Sequence, residues 1–109
     1  MIEGPKNPES IVRHVLVEAL KTKGFEDQET REMLIAWTRQ REEEAMAIGT
    51  REAQIIFEMD RAKLYEDSDL IREAFHTWMD LLIILENEPQ TDEIKEYKNT
   101  VKYKLSLLG

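Results

Sequence analysis

The chain has 109 residues, with 15 basic and 23 acidic side chains, a formal net charge of −8, 41% apolar residues and no cysteine. This length suffices for one hydrophobic core, which excludes a multi-domain mechanism, and the apolar fraction excludes a disordered chain. The 4 glycines and 3 prolines are too few for the many turns of an all-β fold, so an all-α fold is predicted.

The N-terminal part of the chain predicts a flexible leader over residues 1–6, followed by a single helical domain over residues 7–109. Asn7 is a suitable N-cap, and Pro8 suits the first turn of a helix. The first helix is therefore expected over about residues 8–22. Its core-facing positions at helical spacing are Ile11, Val12, Val15, Leu16, Ala19 and Leu20.

A second helix is predicted after Asp27, which can accept hydrogen bonds from the first turn. Its apolar positions fall on one arc: Met33, Leu34, Trp37, Ala45 and Ile48. Gly49 either ends this helix or is tolerated inside a longer one at a cost of about 1 kcal/mol. We favour a break, because Thr50 can cap a new helix.

The third helix, predicted over residues 51–66, is apolar on more than half of its circumference. A helix of this kind usually packs between two partners, so it is predicted to be the central helix. Its remaining face is polar and consists of Arg51, Gln54, Glu58, Arg61 and Tyr65.

Two more helices complete a compact bundle of four to five helices with mostly antiparallel neighbours. The fourth is expected to start near Asp69, with a core stripe of Leu70, Ile71, Ala74, Phe75, Trp78, Leu81, Leu82 and Leu85. Thr91 can cap the fifth, whose narrow apolar seam is expected to dock within the same molecule. That seam consists of Ile94, Tyr97, Val101, Leu105 and Leu108.

Residues 55–88 resemble one helix pair of the tetratricopeptide family, through Ala62, Tyr65, Ala74 and Trp78. The resemblance covers about a third of the chain, and the family's pattern fails at Glu58, Arg61 and Leu81. No second copy occurs at the family's repeat length of about 34 residues, whereas a repeat fold needs several units. The resemblance would imply a peptide-binding helical groove. We interpret it as convergence on a similar packing and do not adopt that function.

The pattern Glu73-x-x-His76 places two metal-ligand types one helical turn apart, as in ferritin-like bundles. Glu58 on the preceding helix lies at a similar level. All three side chains are predicted to point away from the core, which disfavours a buried site within one chain. A site formed between two copies is kept as an alternative, and solvated polar residues are the favoured interpretation.

Arg41 and Glu44 place charge inside the apolar arc of the second helix. They are interpreted as an ion pair at the edge of the bundle or, alternatively, as polar contacts for a partner. Such exposed pairs stabilise a protein by less than about 1 kcal/mol, so stability alone explains them poorly.

The most informative feature is an apolar excess on the fourth helix, where Met79 and Ile83 lie opposite the core stripe and continue from His76 at helical spacing. Leaving such side chains exposed forgoes roughly 1.5–3 kcal/mol each. Either the fourth helix is sandwiched within the monomer or this face contacts another subunit. We favour the subunit contact.

These patterns predict a small, non-catalytic helical protein-interaction or scaffold module that forms a homo-oligomer and needs no cofactor. The acidic charge disfavours nucleic-acid binding. The longest apolar run, Leu81 to Leu85, is too short for a membrane span, and the lack of cysteine fits a cytoplasmic protein. The alternatives are the ferritin-like site between subunits and an acidic protein that binds a basic partner.

Overall fold

The computed structural model describes residues 12–109. These residues form five α-helices and contain no strand. The predicted leader over residues 1–6 and the first turn expected from residue 8 lie outside these residues. The all-α prediction is confirmed. The helices are α1 (Arg13–Thr22), α2 (Gln28–Ile48), α3 (Arg51–Asp67), α4 (Ile71–Glu86) and α5 (Asp92–Leu108).

Local capping interactions set most of the helix starts. The side chains of Asp27, Thr50 and Thr91 each accept a hydrogen bond from the backbone N–H three residues later, at 2.9, 3.1 and 3.2 Å. Gly49 ends α2 in the left-handed conformation with φ of 79°, which glycine adopts without steric cost. The predicted break between the second and third helices is therefore confirmed.

The start of α4 differs from the prediction by two residues. Asp69 adopts a positive φ of 63°, so the helix begins only at Ile71. This turn separates the side chains of Leu70 and Ile71, which were expected to share one core stripe. Leu70 packs in a cluster between α1, α2 and α3, whereas Ile71 is exposed.

The helices pack mainly against their neighbours in the chain, and α3 contacts α1, α2 and α4. The prediction that the third helix is central is thus confirmed. Helix α4 packs against α5 as well as against α3. The bundle is flattened, with extents of 47 × 31 × 16 Å. Within residues 12–109, no helix combines the length and the apolar character that crossing a bilayer requires.

The hydrophobic core consists of two clusters, and Tyr65 packs against both. The seam of α5 packs against the first cluster, as predicted. The first cluster contains Ile55, Met59, Ala62, Ala74, Trp78, Leu81, Leu85, Ile94 and Val101. The second contains Leu16, Leu20, Leu34, Trp37 and Leu64.

The resemblance to a tetratricopeptide helix pair falls on α3 and α4. Ala62, Ala74 and Trp78 are fully buried in the first cluster, while Tyr65 is half-buried. Small side chains on facing helices let the two backbones approach closely. The spacing of these four residues therefore has a packing explanation within this helix pair.

Some positions predicted to face the core are exposed. Val12, which caps α1, Val15 on α1 and Ile48 on α2 are exposed. Ile48 is the last residue of its helix and lines an open depression between α2 and α3. The core side of α1 differs from its predicted stripe, because Leu16 and Leu20 are its buried residues and Val17 packs beside them.

Candidate functional site

Helix α4 carries an exposed apolar surface outside the core stripe by which it packs in the bundle. Met79 and Ile83 are 40% and 55% exposed. Within residues 12–109 no helix covers these two side chains, so the alternative in which this part of α4 is sandwiched within the monomer is wrong for the part of the chain that the structure describes. These two side chains remain available for a contact with another molecule.

The exposed residues on this side of α4 follow a heptad spacing of four, three, four and three positions. We call this surface the outer face of α4. It places a basic residue at one end, an acidic residue at the other and apolar residues between them. Its members are Arg72, His76, Met79, Ile83 and Glu86, and all of them are exposed.

The candidate metal ligands are not assembled into a site within the chain. Glu73 and His76 line a shallow pocket on α4 together with Arg61 and Arg72, whose positive charges repel a cation. Glu58 instead forms an ion pair with Arg61, with 3.3 Å between Oε1 and Nη1. Residues 12–109 contain no group of three His, Asp or Glu side chains that could hold a metal ion. A site between two copies stays a prediction.

Arg41 and Glu44 form the ion pair that the sequence predicted, with 3.1 Å between Nη1 and Oε1. Both side chains line a shallow depression between α2 and α3, beside the exposed side chains of Ile48 and Ile56. The pair therefore lies at the edge of the bundle. Its role in binding a partner stays a prediction.

A second surface, which sequence reasoning missed, is a groove between α2, α3 and α4 with a volume of about 170 Å³. We call it the groove. Polar and apolar residues of α3 form its floor. Helix α4 contributes an apolar wall, and the wall from α2 carries Glu42 beside apolar side chains. The residues that define it here are Glu42, Met46, Gln54, Phe57, Glu58 and Ile84.

Glu58 is the most perturbed carboxyl group of the groove. Its side chain is 29% exposed, and burial raises the pKa of Glu58 above the ordinary glutamate value. The guanidinium of Arg61 lowers this pKa, while the carboxylates of Glu42 and Asp80 raise it further. The groove thus holds a carboxylate whose charge is incompletely compensated.

The polar face of α3 was the sequence signal that could have revealed the groove. A helix that packs on two sides and still keeps a polar strip must leave that strip accessible between its partners. Arg51, Gln54 and Glu58 line the groove, while Arg61 and Tyr65 continue along the same face into the pocket near His76.

Comparison with known proteins adds no family to these observations. No protein-family model, curated protein or solved structure matches the chain. The function is therefore argued from the surfaces described above.

Proposed function

We propose that this chain is a small, non-catalytic protein-interaction module of the cytoplasm that self-associates through the outer face of α4. The observation that carries the proposal is the exposure of Met79 and Ile83 at the centre of a heptad-spaced helix face. Both side chains are already partly covered, so their burial against protein stabilises a complex by about half of the roughly 1.5–3 kcal/mol that full burial of such a side chain provides.

A second copy of the chain fits this face because the face is self-complementary. In an antiparallel pairing with Met79 on the two-fold axis, Arg72 of each copy faces Glu86 of the other. Ile83 then packs beside His76 of the second copy. Two-fold symmetry repeats every contact, so one patch provides both sides of the interface.

The charges on this face are free to form such contacts. Among residues 12–109, neither Arg72 nor Glu86 takes part in an ion pair. Met79 adds adaptability at the centre, because its flexible thioether fits irregular contacts. A single helix face buries less area than a standard interface, so we expect concentration-dependent association of modest affinity.

The experiment is light scattering of the purified protein over a range of concentrations. We expect the mass to rise toward that of a dimer. Ile83→Asp and Met79→Asp should each weaken the association by more than about tenfold, because each buries an unpaired charge at the two-fold contact.

Ile35→Asp is the matched control, because Ile35 is a similarly exposed apolar residue on α2, away from the outer face of α4. It should associate as the wild type does, and circular dichroism should show unchanged helicity in all three variants. A wild-type protein that stays monomeric at high concentration would overturn the proposal.

A further inference from the structure

We propose that the groove between α2, α3 and α4 binds a protein segment that carries a lysine or arginine flanked by apolar residues. This inference concerns a different surface from the outer face of α4 and does not rest on self-association. Ile84 lines the groove, whereas Met79 and Ile83 do not.

The size and walls of the groove suit a long side chain with apolar neighbours. Its volume of about 170 Å³ equals the space of about six water molecules. Met46 on α2 and Ile84 on α4 remain exposed at 63% and 36%. They provide apolar contacts on both walls, and Met46 can adapt to the shape of a partner.

The charge of the groove favours a cation. Glu42 and Glu58 line the groove, and Asp80, which lines the neighbouring pocket of His76, acts on Glu58 through its negative charge as Glu42 does. Among residues 12–109, Glu42 and Asp80 take part in no ion pair. Only Arg61 pairs with Glu58, through the single contact of 3.3 Å. The guanidinium that lines the groove itself, that of Arg51, already contacts Glu88 at 3.1 Å.

Retention of Glu58 at this position costs stability, which supports a binding role. Burial and two neighbouring carboxylates disfavour its ionised form, as the raised pKa shows. A neutral side chain of the same size would avoid this cost. Functional sites are the usual places where proteins keep such unfavourable groups.

The test is a titration of the full chain, followed through the methyl signals of Met46 and Ile84 in NMR spectra. The probe is the synthetic peptide Ser-Leu-Ala-Lys-Leu-Ala-Ser, and its counterpart carries glutamate in place of lysine. We expect the lysine peptide to shift both methyl signals and to bind at least about fivefold more tightly than its counterpart. Added salt should weaken its binding.

Glu58→Gln should weaken binding of the lysine peptide about fivefold, since it removes one carboxylate from the groove and leaves the adjacent Arg61 without its ion-pair partner. Glu43→Gln is the matched control, because Glu43 is an exposed glutamate of α2 outside the groove, and it should bind like the wild type. Circular dichroism verifies that both variants fold.

Three results would overturn the proposal. The lysine peptide shifts neither methyl signal, the glutamate peptide binds as tightly, or both signals shift when the protein alone is concentrated. The last result would identify a second copy as the occupant. Self-association through the outer face of α4 would instead shift Met79 and Ile83, so the two proposals fail independently.

Discussion

The outer face of α4 and the groove lie on two sides of the same helix and differ in where their charges are. The outer face is apolar at its centre, at Met79 and Ile83, with Arg72 and Glu86 at its ends. The groove has the opposite arrangement, because Glu58 lies on its floor between the apolar side chains of two walls.

This difference in charge placement leads to different partners. Opposite charges at the two ends of a face are satisfied when the same face of a second copy is inverted against it. The partly buried carboxylate of Glu58 is compensated when a cationic side chain of a different molecule enters the groove. One helix thus serves two kinds of contact.

After the aspartate substitutions of Met79 and Ile83, the largest effect is expected from reversing the end charges of the outer face. Arg72→Glu and Glu86→Arg should each weaken self-association about tenfold, because each substitution creates two like-charge contacts per dimer. The double variant should regain the wild-type affinity. Analytical ultracentrifugation of the three variants measures these affinities.

Arg39→Glu is the control for the change in net charge, because Arg39 is exposed on α2. It should associate like the wild type. If the double variant associates as weakly as the single ones, the antiparallel register is wrong, although association through Met79 and Ile83 would remain.

A smaller effect is expected from Glu58→Gln on stability. Because the folded protein raises the pKa of Glu58, its contribution favours folding below the ordinary glutamate pKa and is lost as the pH rises through the folded value. The variant should therefore unfold at a higher temperature than the wild type at pH 7. This gap should close as the pH falls toward 4.5, the ordinary pKa of a glutamate.

Thermal unfolding at several pH values, followed by circular dichroism, measures the gap. Glu43→Gln reports the effect of removing one exposed carboxylate from α2. A lower unfolding temperature for Glu58→Gln at pH 7 would show that the ion pair with Arg61 outweighs the cost of burial.

The smallest effect is expected from metal ions. Adding Mn²⁺ should leave the unfolding temperature unchanged, because the guanidinium groups of Arg61 and Arg72 share the pocket of Glu73 and His76. Metal analysis of the purified protein gives a second measurement. A rise in the unfolding temperature that Glu73→Ala abolishes would favour the ferritin-like alternative between subunits.

Helix boundaries that depend on a single capping side chain could be predicted from the sequence. Asp27, Thr50 and Thr91 cap their helices as expected, and Gly49 ends α2. Each of these interactions spans only a few residues, so no knowledge of the packing is needed. The position of Met79 and Ile83 on the side of α4 opposite its core stripe was also predicted, because the spacing along one helix sets it, whereas both side chains were expected to be covered by protein.

Other features depended on distances between helices. Ile71 belongs to the apolar pattern of α4 but is exposed, because the turn at Asp69 delays the helix start. The sequence offered no functional role for Glu58 besides that of a metal ligand, since its neighbours on α2 and α4 are distant in the sequence. The groove exists only because α2, α3 and α4 pack together in the fold.

The order of residues alone determined an all-α chain, its caps and an apolar stripe on the outer side of its fourth helix, because these features arise within one or two helical turns. The packing of α2, α3 and α4 decided which polar strip became the floor of a groove. The same packing decided that the carboxylate of Glu58 is partly buried. Burial and the proximity of charges depend on contacts between segments far apart in the chain.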